Sequence, residues 1–361
     1  MENLVNRAQL QSYYEGKKVL LTGHTGFKGA WLMAWLEELG AHVTGYALDP
    51  EYEACLYNLL KSGLKGKSII ADIRNRERVH ETVLSEQPDY IFHLAAQPLV
   101  RRSYLQPTET FDVNAVGTAN LLEAVKSLEK PCVVVLITTD KVYENKEQDV
   151  LYAEDDVLGG YDPYSASKAC TELIIQSFRR SFFPVSSWHV HHKSLVSARA
   201  GNVIGGGDFS EDRIVPDIVR ALRKEEPVLV RNPESVRPWQ HVLEPLGAYL
   251  LLGGALHQNP EGFNGAYNFG PYPDDHLTVR ELVNQSISSW GKGEWIDGST
   301  ANQPHEAKLL KLDISRAMRE LNWKPKLNAA DAIAWTINWY KQEEDLAAGY
   351  TIAQIKRYME L

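Results

Sequence analysis

The stretch KKVLLTGHTGFKGAWLMAWLEELG (17–40) decides the fold. It opens on a short β-rich run, KKVLLT (17–22), and passes through three glycines, Gly23, Gly26 and Gly29. It then continues as an apolar helical pattern that closes on Gly40, a helix stop. Glycines at such a junction let the backbone turn sharply and approach a pyrophosphate, which sits against the N–H groups at the helix start. The spacing alone would suit any strand-to-helix turn. Here the context adds an acid, Asp49, at the end of the next run, HVTGYAL (42–48). Asp49 is placed to accept hydrogen bonds from ribose hydroxyls, and no arginine follows it to take a 2′-phosphate, so NAD is favoured over NADP.

Working outward, the same rhythm repeats in KSIIAD (67–72), YIFHLA (90–95), CVVVLITT (132–139) and KSLVSARA (193–200), with helical patterns between. Near-continuous apolar strands separated by helices predict a doubly wound α/β domain with a parallel sheet over residues 1–200. Thr25, Phe27 and Lys28 lie within the glycine loop and are assigned to the cofactor with it. Asp72 is placed either for the adenine or as N-cap of RNRERVHETV (74–83), and Ile73, Ala95 and Ala96 are assigned to the cofactor as well. After Ala200 the pattern changes, with Gly and Pro dense in GNVIGGGDF (201–209) and RNPESVRPWQ (231–240). Residues 201–361 are therefore expected to form mainly a smaller substrate-binding domain, with a return of the chain to the first domain around 241–270.

The 361 residues suffice for two domains, and 44% hydrophobic with 24% charged residues is a globular mixture. A net charge of -9 argues against nucleic acid as partner, since phosphate backbones need a basic footprint. A local arginine pocket for a small anion is compatible with it. Cys55, Cys132 and Cys170 form no CxxC pair, which fits a reduced cytoplasmic setting. The N-terminus has no apolar signal core and no run is long enough for a bilayer, so no membrane partner is expected. His189, His191 and His192 are too close in sequence to share one ion readily, and no metal is assigned.

Tyr164 and Lys168 stand one helical turn apart at the start of PYSASKACTELIIQSF (163–178). A lysine ammonium beside a tyrosine favours the phenolate, so a lowered tyrosine pKa is expected. Such a pair also occurs on solvated helices. The fifth strand supplies a third member, Thr139, whose hydroxyl can meet a reacting sugar oxygen. Asn202, Arg213, Arg231 and Arg237 suit a diphosphate, because guanidinium forks bind phosphate oxygens; Arg213 could instead belong to a surface helix and Arg231 could close a strand.

The glycine loop, HLAA (93–96), Asn114 in DVNAVGT (112–118), Thr139, Tyr164 and Lys168 together resemble the extended short-chain dehydrogenases that act on nucleotide sugars, over nearly the whole chain. More narrowly, GHTGFKG, AAQPLVRRSY (95–104), TTDKVYEN (138–145) and RPWQHVLEPL (237–246) resemble CDP-glucose 4,6-dehydratases. The resemblance implies CDP-glucose as substrate and a transient oxidation at carbon 4 that permits loss of water across carbons 5 and 6. It implies Asp140 as the acid for the 6-hydroxyl and Lys141 as the base at carbon 5. Relatives more often carry Asp-Glu here, so Lys141 departs from the commoner pattern, and it could instead pair with Glu144 or Asp140. Gln97, Arg101 and Ser103 are implied on the sugar side, His305 and Glu306 in a segment that caps the nucleotide, and a homodimer through 108–127 and 163–178. A role in making deoxysugars for bacterial surface polysaccharide is implied too. The rival readings are a dehydratase of another nucleotide sugar, a 4-epimerase, and a non-catalytic NAD-binding regulator.

Overall fold

The apolar runs become seven strands of one sheet: β1 (Lys18–Thr22), β2 (His42–Ala47), β3 (Lys67–Ile70), β4 (Tyr90–His93), β5 (Cys132–Ile137), β6 (Lys193–Ala200) and β7 (Gly265–Phe269). In this computed structural model, which describes residues 5–146, 148–299 and 310–361, they lie in the order β7-β6-β5-β4-β1-β2-β3. Every neighbouring pair is parallel. His305 and Glu306 fall outside the described residues. The order reverses between β1 and β4, and ligands of such sheets bind beyond the carboxyl ends of the strands at that point.

Five helices matter for the site: α1 (Phe27–Glu38), α2 (Arg76–Glu86), α3 (Gly117–Lys126), α4 (Pro163–Ser181) and α5 (Leu243–Gln258). On α1 every residue from Gly29 to Leu36 is buried, and α5 is buried along most of its length. Their apolar surfaces join one core cluster on one sheet face, while Leu121, Leu122 and Val125 of α3 join a second cluster on the other. No described helix is long and apolar enough to cross a membrane. Beyond β6 the chain forms short two-stranded pairs, such as Val203–Ile204 with Gln240–His241, and then re-enters the sheet as β7.

The span 108–127, expected as one helix, is interrupted by a π-helical segment, Asp112–Val116. Asn114 lies inside it, fully enclosed, and gives the interruption a cause: its amide donates to Ser167 Oγ at 2.8 Å and to the Gln97 carbonyl at 3.1 Å, while its oxygen accepts from Gln97 N at 2.8 Å. The extra residue in the turn re-aims one side chain to knit the loop after β4 to α4.

A buried ion pair ties α4 to β6. The Arg199 guanidinium donates to both oxygens of Glu172, at 3.0 and 2.9 Å, and to Tyr143 Oη at 2.8 Å. Burial pushes the Glu172 carboxyl up, but Arg199, Thr138 and Ser197 more than offset this and hold it below the usual carboxylate range. Removing one member of such a pair strands the other charge. Arg199→Met is therefore expected to destabilise the protein by about 3–5 kcal/mol in urea unfolding, and a loss below about 1 kcal/mol would show that Glu172 does not rely on it.

Candidate active site

Two glycines of the loop, Gly23 and Gly29, leave no room for a side chain. Gly23 has φ +79, and a Cβ there would lie 2.8 Å from Ala95 N. A Cβ on Gly29 would lie 2.0 Å from the Gly23 carbonyl oxygen. Gly26 is the N-cap of α1 and supplies no side-chain cap, so the first N–H groups of a buried helix stay open toward the loop. That combination of close backbone approach and open N–H groups fits the pyrophosphate of a dinucleotide. Thr25 Oγ1 donates to the Leu48 carbonyl at 2.8 Å, fastening the loop to the end of β2, where Asp49 is exposed.

Two other sequence assignments read differently in the structure. Asp72 is not a helix cap; Asn75 caps α2 by accepting from Arg78 N at 3.0 Å. The Asp72 carboxylate instead grips the Arg74 guanidinium, with contacts of 2.6 to 3.1 Å. Ile73 is buried against Gly117, where a Cβ would come within 2.7 Å of it, so its side chain serves the core. Ala95 and Ala96 do follow β4 beside the loop, and Ala95 N donates to Thr22 Oγ1 at 3.2 Å.

Beyond the strand ends opens a cleft of about 520 Å³. Thr139, Asp140, Lys141 and Tyr164 form one side of it. Thr139 caps the short turn Asp140–Val142, accepting from Lys141 N at 3.4 Å and donating to Asp140 Oδ1 at 2.9 Å. The Asp140 carboxylate is packed so closely on Gly201 that a Cβ there would lie 2.0 Å from it, and Asn202, held at φ +50, reaches its other oxygen at 3.5 Å. Lys141 keeps partial exposure, and among the described residues it makes no ion pair with Glu144 or Asp140.

Tyr164 and Lys168 are both buried on α4. The expected drop in the tyrosine pKa is not what the structure gives: burial pushes Tyr164 up to about 12, against the opposing influence of the Thr139 hydroxyl. Lys168 is itself drawn down to about 8 by burial, partly countered by Glu172, and its amine donates to the Ile137 carbonyl at 3.3 Å. Desolvation of the phenolate costs more here than the Thr139 hydroxyl and the Arg213 charge return. His93, at the end of β4, is kept neutral by burial and by Lys168, and bridges Thr22 and Thr118 at 2.7 and 3.0 Å.

The same cleft is lined by Arg101, Arg213, Arg231 and Arg237. Arg101 and Arg231, far apart in sequence, converge on one oxygen of Asp212 at 3.5 and 3.0 Å. Arg213 donates to Asp208 at 3.0 Å. Gln97 and Ser103 are not on the cleft wall. Gln97 closes its amide onto the Leu99 carbonyl and Thr110, at 3.2 and 2.9 Å. Ser103 Oγ accepts from Tyr164 N at 3.1 Å and so holds the start of α4. The side chain of Lys28, assigned from sequence only to the cofactor loop, lines this cleft too. A lysine in the first turn of a helix opposes the helix dipole, and that was the signal available to find it.

A doubly wound sheet, a glycine loop open to a pyrophosphate, and a cleft that gathers Thr139, Tyr164 and four arginines, with Lys168 buried one helical turn from Tyr164, define an enzyme of the short-chain dehydrogenase type. The chain belongs to the GDP-mannose 4,6-dehydratase family, whose family model matches residues 20–336. It is 45% identical, over 92% of both chains, to a CDP-glucose 4,6-dehydratase of Salmonella typhimurium. It is 24% identical to a UDP-glucose 4-epimerase of Mycoplasma pneumoniae, over 85% of this chain and 92% of that one. The fold is that of a dTDP-glucose 4,6-dehydratase from Streptomyces venezuelae solved with NAD and TYD, with a TM-score of 0.78 at 21% identity, covering 92% of this chain and 99% of that one.

The loop geometry can be tested by one methyl group. Gly29→Ala forces a carbon onto the Gly23 carbonyl. The variant is expected to lose dinucleotide binding in calorimetry, with a lower Tm. Binding unchanged from the parent would mean that the loop does not need its close approach.

Proposed function

We propose that this chain holds NAD in the glycine loop and converts CDP-glucose to CDP-4-keto-6-deoxyglucose and water. The observation that carries this reading is the turn after β5, where Asp140 and Lys141 follow Thr139 directly and face the same cleft as Tyr164. An enzyme that only moves hydride at carbon 4 has no use for that second acid and base. The 45% identity to a relative named for CDP-glucose supports the choice of nucleotide.

The chemistry that NAD would supply when bound is acceptance of the hydride from carbon 4 and its later return to carbon 6. Tyr164, as the phenolate that a cationic nicotinamide ring beside it would favour, takes the proton of the 4-hydroxyl, with Thr139 and Lys168 holding its surroundings. The resulting ketone acidifies the carbon-5 hydrogen, which Lys141 removes and gives back to carbon 5 once carbon 6 has been reduced. Asp140 serves as the acid for the departing 6-hydroxyl, and water leaves. Arg101, Arg213, Arg231 and Arg237, with Asn202, bind the nucleotide diphosphate, and Asp49 binds a cofactor ribose. Residues 1–200 with the return through α5 and β7 act as the cofactor domain, and most of 201–361 as the nucleotide-sugar domain. The enzyme works in the cytoplasm as a homodimer, which exposed Leu105, Val116 and Leu173 near the two helices support, and it supplies a deoxysugar for surface polysaccharide.

Mass spectrometry of the purified protein with CDP-, UDP-, dTDP- and GDP-glucose tests this directly. Loss of one water from CDP-glucose is expected. Water lost only from another nucleotide sugar would keep the mechanism and replace the substrate, and a product of unchanged mass would favour epimerisation. Lys141→Ala is expected to lower kcat by about 10²–10⁴-fold while CDP still binds; unchanged turnover would remove Lys141 from the base role.

A further inference from the structure

One carboxylate of the protein sits where the diphosphate reading calls for an anion. Asp212 Oδ1 accepts from Arg231 Nη1 at 3.0 Å and lies 3.5 Å from Arg101 Nη1. Arg101 belongs to the helix Val100–Leu105 beyond β4, and Arg231 follows the short strand Val228–Val230. All three residues line the cleft. An oxygen shared by two guanidinium groups is an arrangement that suits a phosphate oxygen. The next residue, Arg213, is the N-cap of the helix Ile214–Lys224, whose start has no side-chain cap and lines the same cleft through Ile214 and Val215. Open N–H groups at that end add to the pull on an anion.

Asp212 holds this place loosely. Its side chain is 44% exposed, its second oxygen has no partner among the described residues, and its backbone stands at φ +58. The neighbouring acids are fixed more firmly. Asp208 is buried and accepts from Ser210 N at 3.1 Å as well as from Arg213. Asp217 is part of the helix and pairs with Arg220 in addition to Arg231. An exposed ion pair is weak, whereas a diphosphate offers the same two arginines several charge-assisted bonds. A carboxylate that stayed in place would repel the phosphates it faces. Arg231 would still keep Asp217, at 3.5 Å, if Asp212 swung away.

We propose that Asp212 is a resident counter-ion of the diphosphate seat. Its carboxylate occupies Arg101 and Arg231 while the cleft is empty, yields them to the diphosphate of an entering nucleotide sugar, and competes for them again as the product leaves. This rests on the reading of Arg101 and Arg231 as diphosphate ligands. Asp212 is a positioning residue that acts through the two arginines, and it takes part in no proton or hydride step. The exchange keeps both guanidinium groups paired at every stage, and it trades affinity for release.

Asp212→Asn tests this in the full chain, because asparagine tolerates the same backbone conformation and lacks the charge. Calorimetry uses whichever of CDP, UDP, dTDP and GDP the parent binds. The dissociation constant should fall about fivefold, as expected when one exposed ion pair no longer competes, and the stopped-flow dissociation rate should fall with it. Asp212→Gly, which suits the same backbone and has no side chain, should behave alike, with the parent's Tm kept in both. Arg231→Gln should weaken binding more in the Asp212→Asn background than in the parent, since only in the parent does the lost arginine also lose its competitor. A dissociation constant within about twofold of the parent's in both Asp212 variants overturns the proposal. Weaker binding overturns it too, and would make Asp212 a fixed orienting group for the arginines. So does tighter binding with the same Arg231→Gln loss in both backgrounds, which would make its charge a distant influence. A parent that binds none of the four diphosphates overturns the reading of the arginines itself, an outcome distinct from a parent and variants that bind equally well.

Discussion

The structure depends on the approach of Gly29 to Gly23. A single carbon on Gly29 would sit 2.0 Å from the Gly23 carbonyl, so the backbone of α1 touches the backbone leaving β1. That contact places a largely buried helix directly beneath the sheet and aims its uncapped start at the loop. It also fixes the direction in which Lys28 leaves the helix. Cofactor site, core and reaction cleft therefore share one steric constraint.

The side chains of the proposed site are held by polar contacts from residues that do not line the cleft. Ser103 holds the start of α4 through Tyr164 N, and Asn114 holds the same helix through Ser167. Glu172, one turn beyond Lys168, is neutralised by Arg199 from the neighbouring strand. Each side chain in the cleft has a rigid element behind it, which positions it more precisely than a loop could.

The charge distribution reconciles an acidic protein with an anionic ligand. The net charge is -9, yet the cleft gathers Lys28, Lys141, Arg101, Arg213, Arg231 and Arg237. Several are pre-paired with Asp208 or Asp212, so the guanidinium groups are oriented before a phosphate arrives. Asp212 adopts φ +58 at this point, a conformation that an aspartate tolerates better than most residues. Net charge describes the surface; the cleft is local.

What the sequence determined by itself is what short-range chemistry controls. Strands β1 to β6 follow their apolar runs to within one or two residues at most ends, and β6 matches KSLVSARA (193–200) throughout. The glycine loop and the Tyr164–Lys168 spacing are legible because a tight turn and one helical turn are local geometries. Tertiary structure decided the rest. The sequence contains no sign that Gln97 would fold back on Thr110, that Arg101 and Arg231 would meet on Asp212, or that the Lys28 amine would enter the sugar cleft. The Tyr164 pKa moved opposite to the sequence expectation for the same reason. Burial and long-range pairing depend on which distant segments meet, and no local pattern encodes that.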